Sequence, residues 1–345
     1  MGGAKRHTME ALIGQQTLVQ PVLDLAVRVG CELTYETEVE TPVLLSFKPR
    51  QDAFQLIREE AVHFEPMLPA TEFEDDHENI IYRLALKPGR NVLRHDAIVM
   101  VPSLREDFAW HDQPIAPHLL PPSILRYTLP SRYCDSDKLM DFAWQHFGHL
   151  QHGIERVLGI CDWLHHNIEY RTGSGSPNIS AHDVLERRYG VCRDLAHTAV
   201  ALCRTFNIPA RYVSGYVPDI GCEDPGTPMD FHAYLEVYLG RWQVFDARFN
   251  TPRTGRVRIS AGYDAVNCAF TTIYGGAKLT SFNVWSYQID PDEVSIHDPV
   301  DLSKRLCGTP TIRFPKSTPN ENEGESLPTA QASDAAPAMR MSAAC

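Results

Sequence analysis

The chain of 345 residues has no CxxC pair, no HExxH, no run of lysines or arginines, and no apolar stretch approaching the ~18 residues of a membrane span. Its longest apolar runs, such as 97–101 (AIVMV), are core-sized. The nine cysteines, at 31, 134, 161, 192, 203, 222, 268, 307 and 345, are odd in number and scattered, which fits neither a disulfide framework nor a zinc ribbon. Most are expected to be buried thiols in a reducing compartment. A net charge of -12 without a basic cluster opposes a phosphate backbone, so neither nucleic acid nor membrane is an expected partner. The opening MGGAKRHTMEALIG lacks the apolar stretch of about 7 or more residues that a secretory signal carries, and the expected location is cytoplasmic. No repeat of solenoid period is present.

What the chain does contain is a change of period. Residues 24–35 alternate, with Leu25, Val27, Val29, Cys31, Leu33 and Tyr35 on one side of a half-buried strand. Further strands are expected at 42–47, 80–86 and 97–101, separated by the acidic loop TEFEDDHEN and a Pro-Gly turn. Five prolines, at 114, 117, 121, 122 and 130, mark a linker. Beyond it Leu139, Ala143 and Phe147 recur at helical spacing. A second helix is expected from Ile154 to Ile168, a third after Ser180 as cap, and a fourth from about Cys192 to Phe206. Strands follow from Ala210 to about Phe249. The fold class is therefore α+β: a front antiparallel β-sandwich-like domain (24–125) after an N-terminal extension (1–23), then a second unit of mixed helices and strands (126–295). A C-terminal extension (296–345) follows, polar and expected to be disordered from about 315.

The chemistry concentrates in two segments. In GVCRDLA (190–196), Gly190 allows a sharp turn and the next residues start a helix, so Cys192 sits at its positive end. That position favours a thiolate and offers first-turn N–H groups to an oxyanion. In FHAYLEVYL (231–239), alternation puts His232, Tyr234 and Glu236 opposite an apolar face. If the turn to WQVFDA had two residues, paired positions would sum to 481 and Asp246 would face away from His232. A three-residue turn or bulge at Gly240 makes the sum 480 and puts Asp246 diagonally beside His232. The second register is the one expected. Cys192 would then attack, His232 move protons and Asp246 orient the histidine. From the residues alone, a buried cysteine and a strand histidine satisfied by its neighbours fit equally well.

The order of GVCRDLA, NIPAR, Gly215-Tyr216, HAYLE and an aspartate strand resembles the transglutaminase-like superfamily, particularly its bacterial members. Two positions depart from its pattern: Tyr234 for tryptophan and Asn207 for glycine. The resemblance covers about 130–290 and implies a papain-like core with Cys192, His232 and Asp246 as triad. It implies cysteine-dependent acyl transfer at an amide, with hydrolysis of a peptide or isopeptide in a protein or peptide substrate as the leading expectation. Protein-glutamine transamidation and a catalytically silent interaction module are the alternatives. Asp194, Tyr216 and Tyr234 are assigned to substrate binding or support of the triad, Asp194 through Arg193, Arg211 or the helix start. No cofactor and no metal are expected: His146, His149 and His152 flank Gly148, and the acidic run 72–78 lacks calcium-loop spacing. His165, His166 and His197 are read as surface or supporting residues, and Cys203 as core.

Overall fold

The computed structural model describes residues 21–106, 112–222 and 229–306. The expectations for the N-terminal extension and for a disordered tail from 315 fall almost wholly outside these residues. Six strands come first: β1 (Leu25–Thr37), β2 (Thr41–Leu45), β3 (Leu56–Glu65), β4 (Thr71–Glu74), β5 (Ile80–Leu86) and β6 (Gly89–Val101). After the short helix α1 (Pro122–Leu125) come α2 (Met140–Phe147), α3 (Ile154–Asn167), β7 (Glu169–Tyr170), α4 (Ala181–Arg187), β8 (Tyr189–Gly190) and α5 (Cys192–Thr205). Strands β9 (Ala210–Tyr216), β10 (His232–Tyr238), β11 (Trp242–Phe245), β12 (Val257–Gly262), β13 (Thr271–Ile273) and β14 (Lys278–Gln288) complete the order. Among the described residues no helix is long and apolar enough to cross a membrane.

Two four-stranded antiparallel sheets, ordered β14-β1-β6-β3 and β13-β2-β5-β4, form the front unit. Cys31, Leu33, Tyr35 and Leu93 of one sheet pack on Val43, Leu45, Leu84 and Leu86 of the other. The chain thus returns to the front sheets at 271, inside the stretch assigned to the second unit (126–295), because β13 and β14 pair with β2 and β1. Local periodicity cannot reveal a partner some 240 residues away. Strand β1 is also buried on both faces rather than one. Val294 packs at its second face with Ala26 and with Tyr287 and Ile289 at the end of the strand paired beside it. Arg28 is buried there too, ion-paired to Asp96 at 2.9 Å and donating to the carbonyls of Asp298 and Pro299. Strand β3 escapes the sequence pattern because it is a largely exposed edge with a bulge between Ile57 and Glu59. The acidic loop begins as strand β4, exposed along its length.

The second unit is a third antiparallel sheet, β11-β10-β9-β12, with α5 laid on one face. Leu195, Ala199 and Leu202 of α5 meet Leu235 and Val237 of β10, while α2, α3 and α4 cover the helix from outside. A helix enclosed this way buries all round, and every residue from Asp194 to Thr205 is buried. Its interior arginine, Arg204, is satisfied by the carbonyls of Ala210, Tyr263 and Leu129 and by Ser131. Asn207, just past the helix, has φ +57°, the left-handed conformation for which glycine is preferred and asparagine tolerated. A separate apolar cluster joins the two units: Leu25, Val27, Val29, Ala97 and Val99 pack on Tyr216, Ile220, Val257 and Ile259.

Candidate active site

Cys192 is the first residue of α5, and the loop before it is fixed by a buried carboxylate. Asp194 accepts the Val191 N–H at 3.1 Å and pairs with Arg187 at 2.6 Å and Arg193 at 3.0 Å. A Cβ on Gly190 would lie 2.8 Å from the Asp194 Cβ, so only glycine lets the turn close this tightly. Asp194 therefore holds the start of the helix and does not reach Arg211, which pairs with Glu236 at 2.6 Å. Cys192 is partly exposed, whereas Cys31, Cys134, Cys161, Cys203 and Cys268 are buried.

The register of β10 with β11 pairs Leu235 with Phe245, Glu236 with Val244, Val237 with Gln243 and Tyr238 with Trp242, the sum of 480 that a three-residue turn requires. Gly240 supplies the turn with φ +90°. Continued by one step, the register sets Asp246 opposite Tyr234 and diagonal to His232. The His232 Nε2 lies 2.8 Å from the Asp246 Oδ2, which leaves Nδ1 for a second partner, and the Cys192 sulfur is near enough to act on the ring. His232 is the first residue of β10, at the end of the sheet. A ring there can engage α5 although the rest of its strand face looks away from that helix.

Burial of His232 disfavours its charged form. The charge and hydrogen bond of Asp246, with the Cys192 sulfur, outweigh that cost and push the imidazole up to about 9. Asp246 is buried as well, yet the positive charges of His232 and Arg256 hold it well below the usual carboxylate range. Its Oδ1 accepts the N–H groups of Arg248 and Phe249 at 2.9 and 3.1 Å, and its Oδ2 accepts Arg256 Nη2 at 2.8 Å. Arg256 completes a chain of charge with an ion pair to Glu106 at 2.6 Å. Its guanidinium lies 4.6 Å from the Tyr234 ring centroid.

Arg256 is the member of this network that the sequence reading passes over. It lies ten residues past Asp246 in a stretch without periodicity, and no local pattern marks it. Tyr234, buried at 2% exposure, forms part of the platform under Arg256 and faces no solvent. Tyr216 belongs elsewhere. Its side chain is fully buried in the cluster that joins the two units; alternation assigns a face to it but not the layer that covers that face. His197 is likewise interior, stacked on Tyr133 and accepting the Ala265 N–H at 3.1 Å. Cys203 lies in the helical core.

Residues 142–247 match the model of the transglutaminase-like superfamily. A crystal structure of a candidate cysteine protease from Cytophaga hutchinsonii is 32% identical, with a TM-score of 0.71 over 78% of this chain and 92% of that one. Among curated proteins, an uncharacterized protein of Mycobacterium leprae is 28% identical over 132 residues, 37% of this chain and 47% of its own. One from Mycobacterium tuberculosis is 30% identical over 82 residues, 24% of this chain and 26% of its own. The chain thus spans about half or less of the length of these curated relatives. With its motif order, its α+β core and a solved relative matched over nearly its whole length, the chain belongs to the transglutaminase-like superfamily.

Proposed function

We propose that the chain is a cysteine hydrolase that cleaves a peptide or isopeptide bond through a thioester on Cys192. The observation that carries this reading is one imidazole, His232, held between a buried carboxylate at 2.8 Å and the only cysteine placed at a helix N-terminus among the described residues. The Cys192 sulfur attacks the amide carbonyl, and a C–S bond forms while the carbonyl π electrons move to oxygen. The Cys192 backbone N–H, in the first turn of α5, is positioned for that oxyanion; donors of this kind contribute ~3 to 4 kcal/mol to such steps. Collapse expels the amine, which takes the proton carried by His232. Water then gives a proton to His232 and attacks the thioester, releasing the acid and restoring the sulfur.

Asp246 keeps the His232 proton on Nε2 when the ring is neutral and stabilises the imidazolium when it is charged. The test is mass spectrometry of α- and γ-linked peptide pools incubated with the protein in ¹⁸O-water. Cleavage with ¹⁸O in the new carboxylate, lost in Cys192→Ala with folding unchanged, is the expected result. Turnover retained by that variant would overturn the mechanism.

A further inference from the structure

A cavity of about 360 Å³ is lined by residues 165–170, Arg188, Leu195 and Arg248. Two of these lie close in the chain to triad residues. Leu195 is one helical turn beyond Cys192 on α5, and Arg248 follows Asp246 by two residues with its N–H on that carboxylate. Tyr170 connects the cavity to the nucleophile: the Arg248 guanidinium lies 3.8 Å from its ring centroid. Strand β7 pairs with β8 so that Tyr170 lies opposite Gly190, two residues before Cys192, and burial, then negative charge at Cys192, pushes the Tyr170 hydroxyl up.

In a protein of net charge -12, the charged lining here is chiefly cationic. The single carboxylate in the wall, Glu169, is taken by Arg171 through two hydrogen bonds of 3.1 and 2.7 Å. Among the described residues neither Arg188 nor Arg248 forms an ion pair with a carboxylate. Both rest on aromatic rings, Arg188 at 5.1 Å from the Trp163 centroid. Stacking occupies the face of a guanidinium and leaves its N–H edge for an acceptor in the plane, where a carboxylate binds through two parallel bonds. The carbonyl of Arg248, 3.0 Å from His165 Nδ1, helps to fix this wall.

We propose that this cavity is a substrate subsite for a carboxylate, so that the enzyme selects amides with an acidic group close to the scissile bond. The proposal rests on the acyl-transfer reading of Cys192. The acidic group is supplied either by a chain terminus or by an acidic side chain.

Three bromoacetyl dipeptides test it on the full chain: Ala-Gly with a free terminal carboxylate, Glu-Gly amide with a side-chain carboxylate, and Ala-Gly amide as the neutral reference. Each alkylates a sulfur with loss of bromide, and mass mapping assigns the rate to individual cysteines. At low salt one or both charged probes should label Cys192 about tenfold faster than the neutral one, and the faster of the two identifies the source of the carboxylate. Raising NaCl from about 20 to about 500 mM should shrink that ratio. The ratio should fall toward one in the Arg188→Gln/Arg248→Gln double variant and keep an intermediate value in Arg248→Lys. It should stay at the wild-type value in Arg83→Gln, an exposed charge on β5. A wild-type ratio near one, or an unchanged ratio in the double variant, overturns the subsite if Cys192 still reacts faster than the partly exposed Cys222. If Cys192 has no such advantage with any probe, the acyl-transfer reading itself fails and takes the subsite with it.

Discussion

Replacing Asp246 by asparagine removes the main group that keeps His232 charged. The wild-type imidazole is raised from 6.5 to about 9, which corresponds to about 3 kcal/mol of differential stabilisation at ~1.4 kcal/mol per tenfold change in proton affinity. With His232 only 8% exposed, solvent screens little of this. In Asp246→Asn the carboxylate's charge and its ionic hydrogen bond disappear together, while burial continues to oppose the charged form. The His232 midpoint should then fall by 2 or more pH units, toward or below 6.5. A pH titration by NMR of protein labelled at histidine Cε1, with His232→Asn to assign the resonance, reads this directly. Stability should follow. Because the folded value lies above the unfolded one, the His232 contribution is complete below about pH 6.5 and is lost as pH rises through about 9. Urea unfolding should therefore show the largest wild-type advantage over the variant near pH 6 and a smaller one near pH 9.5. A His232 midpoint near 6.5 in the wild type, or the same midpoint in both proteins, would refute the coupling.

Arg256→Met leaves the buried Asp246 and its neighbour Glu106 without their shared cation, so urea unfolding should reveal a loss of about 3 to 5 kcal/mol. A loss under ~1 kcal/mol would show that the network is not held by this charge. At the end of α5, Asn207→Ala should cost about 1 kcal/mol and Asn207→Gly close to nothing, because φ is +57°. Equal melting temperatures for the two variants would contradict that account. In β1, a Cβ on Gly30 would lie 2.4 Å from both the His95 carbonyl oxygen and the Trp285 ring. Gly30→Ala should destabilise by about 3 kcal/mol or more, measured by thermal unfolding, and an unchanged melting temperature would mean that these strands separate easily.

Much of the candidate site is legible in the sequence because it depends on short-range geometry. Gly190 and the helix after it set Cys192 at a helix start, and alternation along β10 puts His232 on a chosen face. Parity across Gly240 requires the three-residue turn that brings Asp246 beside it, and the observed pairing of Leu235 with Phe245 has that register. Asn207 in place of glycine is intelligible too, since both residues adopt positive φ.

Other features came from the tertiary structure alone. The resemblance assigns Tyr216 to substrate binding or support of the triad, and only the structure shows that the strands of the front unit pack over it. Strand β1 alternates like a half-buried strand, yet the segment after β14, with Val294, Asp298 and Pro299, packs on its second face. Arg256 reaches Asp246, and Arg188 and Arg248 line one cavity, although they are 60 residues apart in the chain. The physical reason is common to all of these. The 2.0 and 3.6 residue periods determine which side chains share a face and how one turn joins two strands, both properties of a few bonded neighbours. What lies against that face is decided by the packing of segments distant in the chain, where burial and charge pairing operate without regard to sequence separation.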